Sequence, residues 1–305
     1  MKRQPSIFNL QSLLPMPSHP HPISGTWFVL AAAVLWGTTG TAQTFAPAGT
    51  SPLAVGAVRM VVGGAALVLL MLVKGGWRQG PRWPLLPLAL ATAGVVGYQL
   101  LFFAGVARTG VAVGTIVGIG SAPIIAGLLT WLVWRRWPGG HWLLATALAI
   151  VGCGLLIGGG QSLQVDVGGM LLAVAAGAAY AVYTIASKFL VGERPSTVVT
   201  GVVFGLGALL LLPLWFYLDM SWLAEAPGAW VGLHLGVVTL AGAYLLFTIG
   251  LRTVSSATAV SLTLAEPLTA GLLGIFVVGE QLAPLAWVGL GLLFAGLVVL
   301  TRSSR

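Results

Sequence analysis

A carboxylate stands directly before a proline at Glu266-Pro267, inside the run LTLAEPLTAGLLGIFVVG, which holds no other charged residue. Such an acid can bind an ammonium or an organic cation, or carry a proton that is taken up and released. Elsewhere the residues capable of polar contact recur at helical spacing. Trp36, Thr39, Gly40 and Gln43 fall at i, i+3, i+4 and i+7, which puts them on one helix face. Tyr180, Tyr183, Thr184 and Ser187 repeat that spacing. Tyr98 and Phe102 stand one turn apart with Gln99 between them, and Tyr244 and Phe247 are also about a turn apart. Rings with a few hydroxyls, amides and one acid suit the recognition of a small molecule. They do not suit catalysis. Cys153 is the only cysteine, His141 falls at a helix end, and His234 has no histidine or acid at metal spacing. His19 and His21 lie in a proline-rich tail and need no more than solvation. No enzyme activity, metal or cofactor is expected, and the lack of a GxxxxGK[ST] loop argues against ATP hydrolysis by this chain.

The elements that must position these residues follow from composition. Of 305 residues, 58% are hydrophobic and 7% charged, against roughly a quarter charged in a soluble domain. Apolar runs recur along the chain, each near the ~20 residues a helix needs to cross the hydrocarbon core. They fall at 26–45, 53–73, 85–106, 111–134, 142–159, 168–189, 197–218, 229–250, 255–278 and 284–301. The expectation is an all-α membrane protein of ten transmembrane helices in one bundle, with the lipid bilayer as its surroundings. Residues 1–24, with five prolines, read as a flexible tail.

The net charge of +8 suggests a polyanion until its placement is read. With a cytoplasmic N-terminus, Lys2, Arg3, Lys74, Arg78, Arg82, Arg135, Arg136, Lys188, Arg194, Arg252, Arg302 and Arg305 all fall at cytoplasmic ends. Arg108 alone falls outside, and Arg59 lies within a span. That bias predicts a multi-pass protein with both termini cytoplasmic and no nucleic-acid partner.

Sliding the chain against itself by 144 residues aligns Trp36 with Tyr180, Arg108 with Arg252, Thr109 with Thr253 and Pro123 with Pro267. The run AGLL at 126–129 falls on AGLL at 270–273. Two units result, 25–160 and 168–301, of five helices each. Five is odd, so the two must lie inverted in the membrane, an architecture of transporters with a site between the repeats near the midplane. Pro123 and Pro267 each remove a backbone donor and read as helix breaks at matching depth, freeing the carbonyls of Ile119 and Thr263. The symmetry mate of Glu266 is Ala122, so the fold itself does not require an acid there.

The sequence resembles the drug/metabolite transporter superfamily, in its ten-helix EamA-type exporter branch. The resemblance rests on LWGTTG at 35–40, AAYAVYTIASKFL at 178–190, APIIAGLL and EPLTAGLL in the two halves, and GEQLAPLAWVGLGLLFAGLVVL at 279–300. One departure is Arg135-Arg136-Trp137, where a glycine-glutamate end motif often falls in the first half, leaving Glu280 alone to carry it. The aromatic-rich character is similar to the YddG-type amino-acid exporters. The resemblance implies a secondary transporter in a bacterial inner (cell) membrane that exports amino acids, aromatic and other, by alternating access.

The substrate-binding residues expected are Trp36, Thr39, Gln43, Tyr98, Gln99, Phe102, Tyr180, Tyr183, Thr184, Tyr244, Phe247 and Glu266, with Pro123 and Pro267 as gating breaks. Several alternatives stay open. The hydroxyls and amides could simply join helices, and the rings could be core. Glu266 could be a protonated acid bonding a nearby Thr or Tyr, a partner for a substrate ammonium, or a proton site. Arg59, two turns into its helix, reads as snorkelling or bonding a helix end. The six tryptophans at 77, 83, 137, 142, 222 and 230 read as interface anchors. Export of cationic drugs or other metabolites is the second function, and a passive channel or scaffold the third. Phosphorylated substrates rank lower, because no paired cations are read at the midplane. A monomer is expected.

Overall fold

The computed structural model describes residues 22–76, 81–158, 166–279 and 281–303. Most of the proline-rich tail and Glu280 lie outside these. Ten helices follow in order: α1 Pro22–Gln43, α2 Pro52–Lys74, α3 Leu85–Gly110, α4 Val113–Trp134, α5 Gly140–Gly158, α6 Val167–Glu193, α7 Ser196–Tyr217, α8 Ala226–Leu251, α9 Ser256–Val278 and α10 Pro284–Ser303. Among the described residues, nine are long and apolar enough to cross a membrane. The other, α1, is long enough, but its last seven residues, GTTGTAQ, dilute its apolarity.

Local chemistry sets the ends. Asp166 caps α6, its Oδ1 accepting from Gly169 N at 2.6 Å, and Ser255 caps α9, its Oγ accepting from Thr258 N at 3.1 Å. Each satisfies a backbone donor that the first turn leaves open. Gly110, at φ 80°, separates α3 from α4, because only glycine takes that conformation without strain.

The 144-residue relation survives into the structure. Pro52 and Ser196 open α2 and α7; Gly140 and Pro284 open α5 and α10. Helices α2 and α7 pack on each other, and so do α5 and α10, each against its own counterpart. The first helix of each repeat crosses to the other: α1 packs on α8 and α9, and α6 on α3 and α4. Gly25 of α1 lies against Thr253, and Gly169 of α6 against Thr109, contacts that interchange under the shift. The fold is therefore two five-helix repeats, inverted, with first helices exchanged.

Glycines let the helices approach where lipid offers no hydrophobic gain for association. A methyl on Gly152 of α5 would lie 2.7 Å from the carbonyl oxygen of Gly289 on α10. Cys153 beside it is fully buried among Ala149, Leu264 and Leu293, a packing residue as expected. Two tryptophans depart from the expected interface role: Trp142 and Trp222 are buried. Trp83 stacks under the guanidinium of Arg194 at 4.0 Å. Trp137 and Trp230 are exposed, and Trp77 lies outside the described residues.

The two prolines differ. Around Pro267, α9 breaks into a turn at Thr263–Leu264, and the Thr263 carbonyl is not free: it accepts from Glu266 N at 2.9 Å. Pro123 sits buried in unbroken helix. The matching break expected at Pro123 is absent; Gly110 lies at the α3–α4 junction, whose mate is the α8–α9 turn at Val254. Near the middle of α8, π-helical backbone runs over His234–Gly242, a distortion common near functional sites. Its first residue is not idle. His234 Nε2 and Thr38 Oγ1 are 2.9 Å apart, joining α8 to α1.

Candidate substrate cavity

A cavity of about 750 Å³ opens between α1 on one side and α3 and α4 on the other, with α9 closing its flank. Its wall comes from the second halves of α1, α3 and α9, the first turns of α2 and α4, the end of α5 and the α9–α10 connection at Gln281–Ala283. All these lie on the membrane face opposite to the chain termini, so the cavity runs from that face to mid-membrane.

Aromatic packing ends it. Trp36 meets Tyr244 with ring centroids at 4.9 Å, Tyr180 at 6.3 Å and Phe247 at 5.6 Å. Tyr98 stacks on Phe102 at 5.6 Å and meets Tyr180 at 5.5 Å. Beyond Tyr244, Phe204 at 4.5 Å and Tyr183 at 5.6 Å continue the cluster towards the terminal face with no opening between them. Edge-to-face and offset rings at these distances add roughly 0.5–1.5 kcal/mol each beyond buried area.

Of the residues expected at the site, Trp36, Thr39, Gln43, Tyr98, Phe102, Tyr180, Tyr244, Glu266 and Pro267 line this cavity. Five do not. Gln99 is buried and donates from Nε2 to Gly56 O at 3.4 Å, joining α3 to α2. Tyr183 lies under the floor, its hydroxyl 3.5 Å from Thr248 Oγ1. Thr184 is fully buried and bonds Tyr180 O of its own helix. Phe247 is fully buried behind Trp36, and Pro123 is inside the bundle. The inverted repeat explains most of this. The face of α1 bearing Thr39 and Gln43 has its mate in the face of α6 bearing Tyr183 and Ser187. Where α1 stands apart from α3 and α4, α6 is packed on α8 and on the start of α9. One of two equivalent clefts is open and the other is shut.

Sequence reasoning missed Arg59. It lines the cavity from α2 and is 8% exposed, so it does not snorkel. A signal was present: Gly56, Arg59 and Gly63 share a helix face, and both glycines pack into the bundle, against Phe103 and Gly236. A cation flanked by two such glycines has to point inward. Phe103, Thr115, Thr263 and Gln281 also join the wall. Three buried donors of the wall have no hydrogen-bond partner: Trp36 Nε1, Arg59 Nε and the Tyr180 hydroxyl. A buried polar group left without a partner costs about 1–3 kcal/mol, and these three are donors that a polar guest in the cavity could satisfy. Among the described residues no group of three or more His, Cys, Asp or Glu comes together to hold a metal.

This geometry accords with known proteins. The chain is 44% identical to the uncharacterized transporter YwfM of Bacillus subtilis (strain 168), over 91% of this chain and 94% of that one. It is 30% identical to the threonine/homoserine exporter RhtA of Escherichia coli (strain K12), over 52% of this chain and 54% of RhtA. A solved crystal structure superimposes with TM-score 0.79 at 22% identity, over 92% of this chain and 98% of that one, and so shares the fold. Residues 23–158 and 167–302 each match the EamA-like transporter family, and the chain belongs to that family.

Proposed function

We propose that the protein is a secondary transporter that exports amino acids, aromatic and other neutral species, from the cytoplasm of a bacterium by alternating access through this cavity. The observation that carries the reading is the paired cleft. One cleft, between α1 and α3–α4, is open to mid-membrane; its symmetry mate, between α6 and α8–α9, is packed shut. Two inverted repeats with exchanged first helices can trade these arrangements, which moves the site's access from one face to the other. The charge bias supports a cytoplasmic terminal face, so the open cleft is the outward one. The ring-lined wall with its unpartnered donors supports a small amphipathic substrate. The similarity to RhtA, a threonine/homoserine exporter, supports an amino acid as that substrate.

No part of the wall calls for an enzyme, and the substrate leaves as it entered. Export of organic cations is the second reading, favoured by Glu266 alone and opposed by the guanidinium of Arg59 in the same wall. The test is flux. The purified chain in liposomes should accelerate saturable counterflow of radiolabelled phenylalanine, with threonine and homoserine competing. Saturable flux of a quaternary ammonium drug with no amino-acid flux would establish the second reading instead. Unsaturable leak would indicate a channel.

A further inference from the structure

We infer that Arg59 and Glu266 form a zwitterion site, in which Arg59 holds the substrate carboxylate and Glu266 its ammonium. The inference rests on the amino-acid reading above and specifies what the cavity selects. Both side chains line the one cavity, from α2 and α9, helices with no packed interface between them. Arg59 is more than nine-tenths buried, and its Nε has no partner. No hydrogen bond joins it to Glu266, the other charged residue of the wall among the described residues. A buried guanidinium whose Nε is left unpartnered is costly, and a planar carboxylate matches the guanidinium fork with two parallel hydrogen bonds.

Depth agrees with this assignment. Arg59 lies seven residues into α2 from the open face, roughly 10 Å down, and Glu266 twelve residues before the end of α9, roughly 18 Å down, at the helical rise per residue. Both side chains nonetheless line the one cavity, Arg59 nearer the mouth and Glu266 deeper. A substrate would then sit with its carboxylate towards the mouth and its ammonium deeper, where Trp36, Tyr98 and Tyr244 surround what remains of it. The two side chains make no direct ion pair with each other, so a ligand carrying both signs can bridge them and satisfy both. One that carries a single sign leaves the other residue unpaired. The site therefore selects α-amino acids over amines and over acids, and reads their side chains loosely through rings.

Three isosteric probes separate these roles: L-phenylalanine, phenethylamine, which lacks the carboxylate, and 3-phenylpropionate, which lacks the ammonium. Each competes for phenylalanine counterflow in liposomes containing the full chain. Wild type should prefer phenylalanine to either probe by tenfold or more. Arg59→Gln should lose about tenfold or more for phenylalanine while keeping its affinity for phenethylamine. Glu266→Gln should lose affinity for phenylalanine and phenethylamine while keeping that for 3-phenylpropionate. Equal weakening of all three ligands by Arg59→Gln would overturn the carboxylate role and make the arginine structural. If Arg59→Gln does not insert, Arg59→Lys keeps the charge without the fork. It should weaken phenylalanine severalfold and leave phenethylamine unchanged, and equal effects on both overturn the inference. Wild-type flux of phenylalanine without discrimination against the amine also overturns it while leaving amino-acid export intact. No flux of any amino acid overturns the export reading first.

Discussion

Lys188 Nζ donates to the carbonyl oxygen of Leu251 at 2.6 Å, and the same ammonium reaches Val254 O at 2.9 Å and Arg252 O at 3.2 Å. These are carbonyls that the end of α8 leaves without intrahelical partners, at the negative end of its dipole. The lysine thus ties α6 to the α8–α9 turn on the terminal face. Its mate in the other repeat is Thr44, which lines the open cavity. The asymmetry between a lysine and a threonine at equivalent positions matches the asymmetry between a closed cleft and an open one.

Lys188→Met should therefore loosen the closed cleft. Hydrogen bonds to charged groups contribute about 1.5–3 kcal/mol each, and 1.4 kcal/mol is tenfold in a conformational equilibrium. Ser187 is fully buried beside it. A Ser187→Cys reporter, in a Cys153→Ala background, should resist maleimide in the otherwise native protein. With Lys188→Met added, its labelling should rise by about tenfold or more. Unchanged labelling would mean that ring packing, and not the lysine, keeps the cleft shut.

Much of the fold was legible because lipid imposes long apolar runs and because the repeat is preserved without gaps. The helix starts at Pro52 and Ser196 are the same position read twice. The site was legible only in part. Trp36, Thr39 and Gln43 were found on their helix face, and so were Tyr183 and Thr184, but a single sequence encodes both clefts and does not say which is open. Arg59 was misread because a lone cation near a helix end ordinarily snorkels. Only the close approach of Gly56 to Phe103, a tertiary fact, turns that face inward. Pro123 and Pro267 look alike in sequence, yet only α9 breaks, within the half where Glu266 replaces Ala122.

Gly152→Val tests the spine of the bundle apart from the cavity. Its new side chain would meet the backbone of α10 at Gly289 and Leu293, where no side chain can move aside. Overpacking of this kind costs about 1–3 kcal/mol. Thermal unfolding in detergent should shift down by several degrees, while the protein that remains folded keeps its KM for phenylalanine. A changed KM at unchanged melting would place the α5–α10 contact in the substrate path instead.

Trp36 tests the cavity floor. Its ring touches Tyr180, Tyr244 and Phe247, so Trp36→Ala should cost about 3–5 kcal/mol and lower the yield of folded protein. Trp36→Phe keeps a ring and removes the unpartnered Nε1 donor. It should fold normally and retain phenylalanine flux with KM altered severalfold. If Trp36→Phe transports as wild type, the indole nitrogen is not a substrate contact.

Orientation is the last expectation, and two exposed positions decide it. Gln281 lies in the connection at the cavity mouth, and Arg302 near the end of α10 on the terminal face. Among the described residues, eight of ten basic side chains fall on or near that terminal face, all but Arg59 and Arg108, and such bias sets topology through the cytoplasmic retention of Lys and Arg. In a Cys153→Ala background, Gln281→Cys should react with a membrane-impermeant maleimide added to intact cells, and Arg302→Cys only after the membrane is opened. Excess phenylalanine should slow the reaction at position 281 if substrate enters the same cleft. The reverse labelling pattern would place the open cleft on the cytoplasmic side, and the cavity would then be the loading state of an exporter instead of its release state.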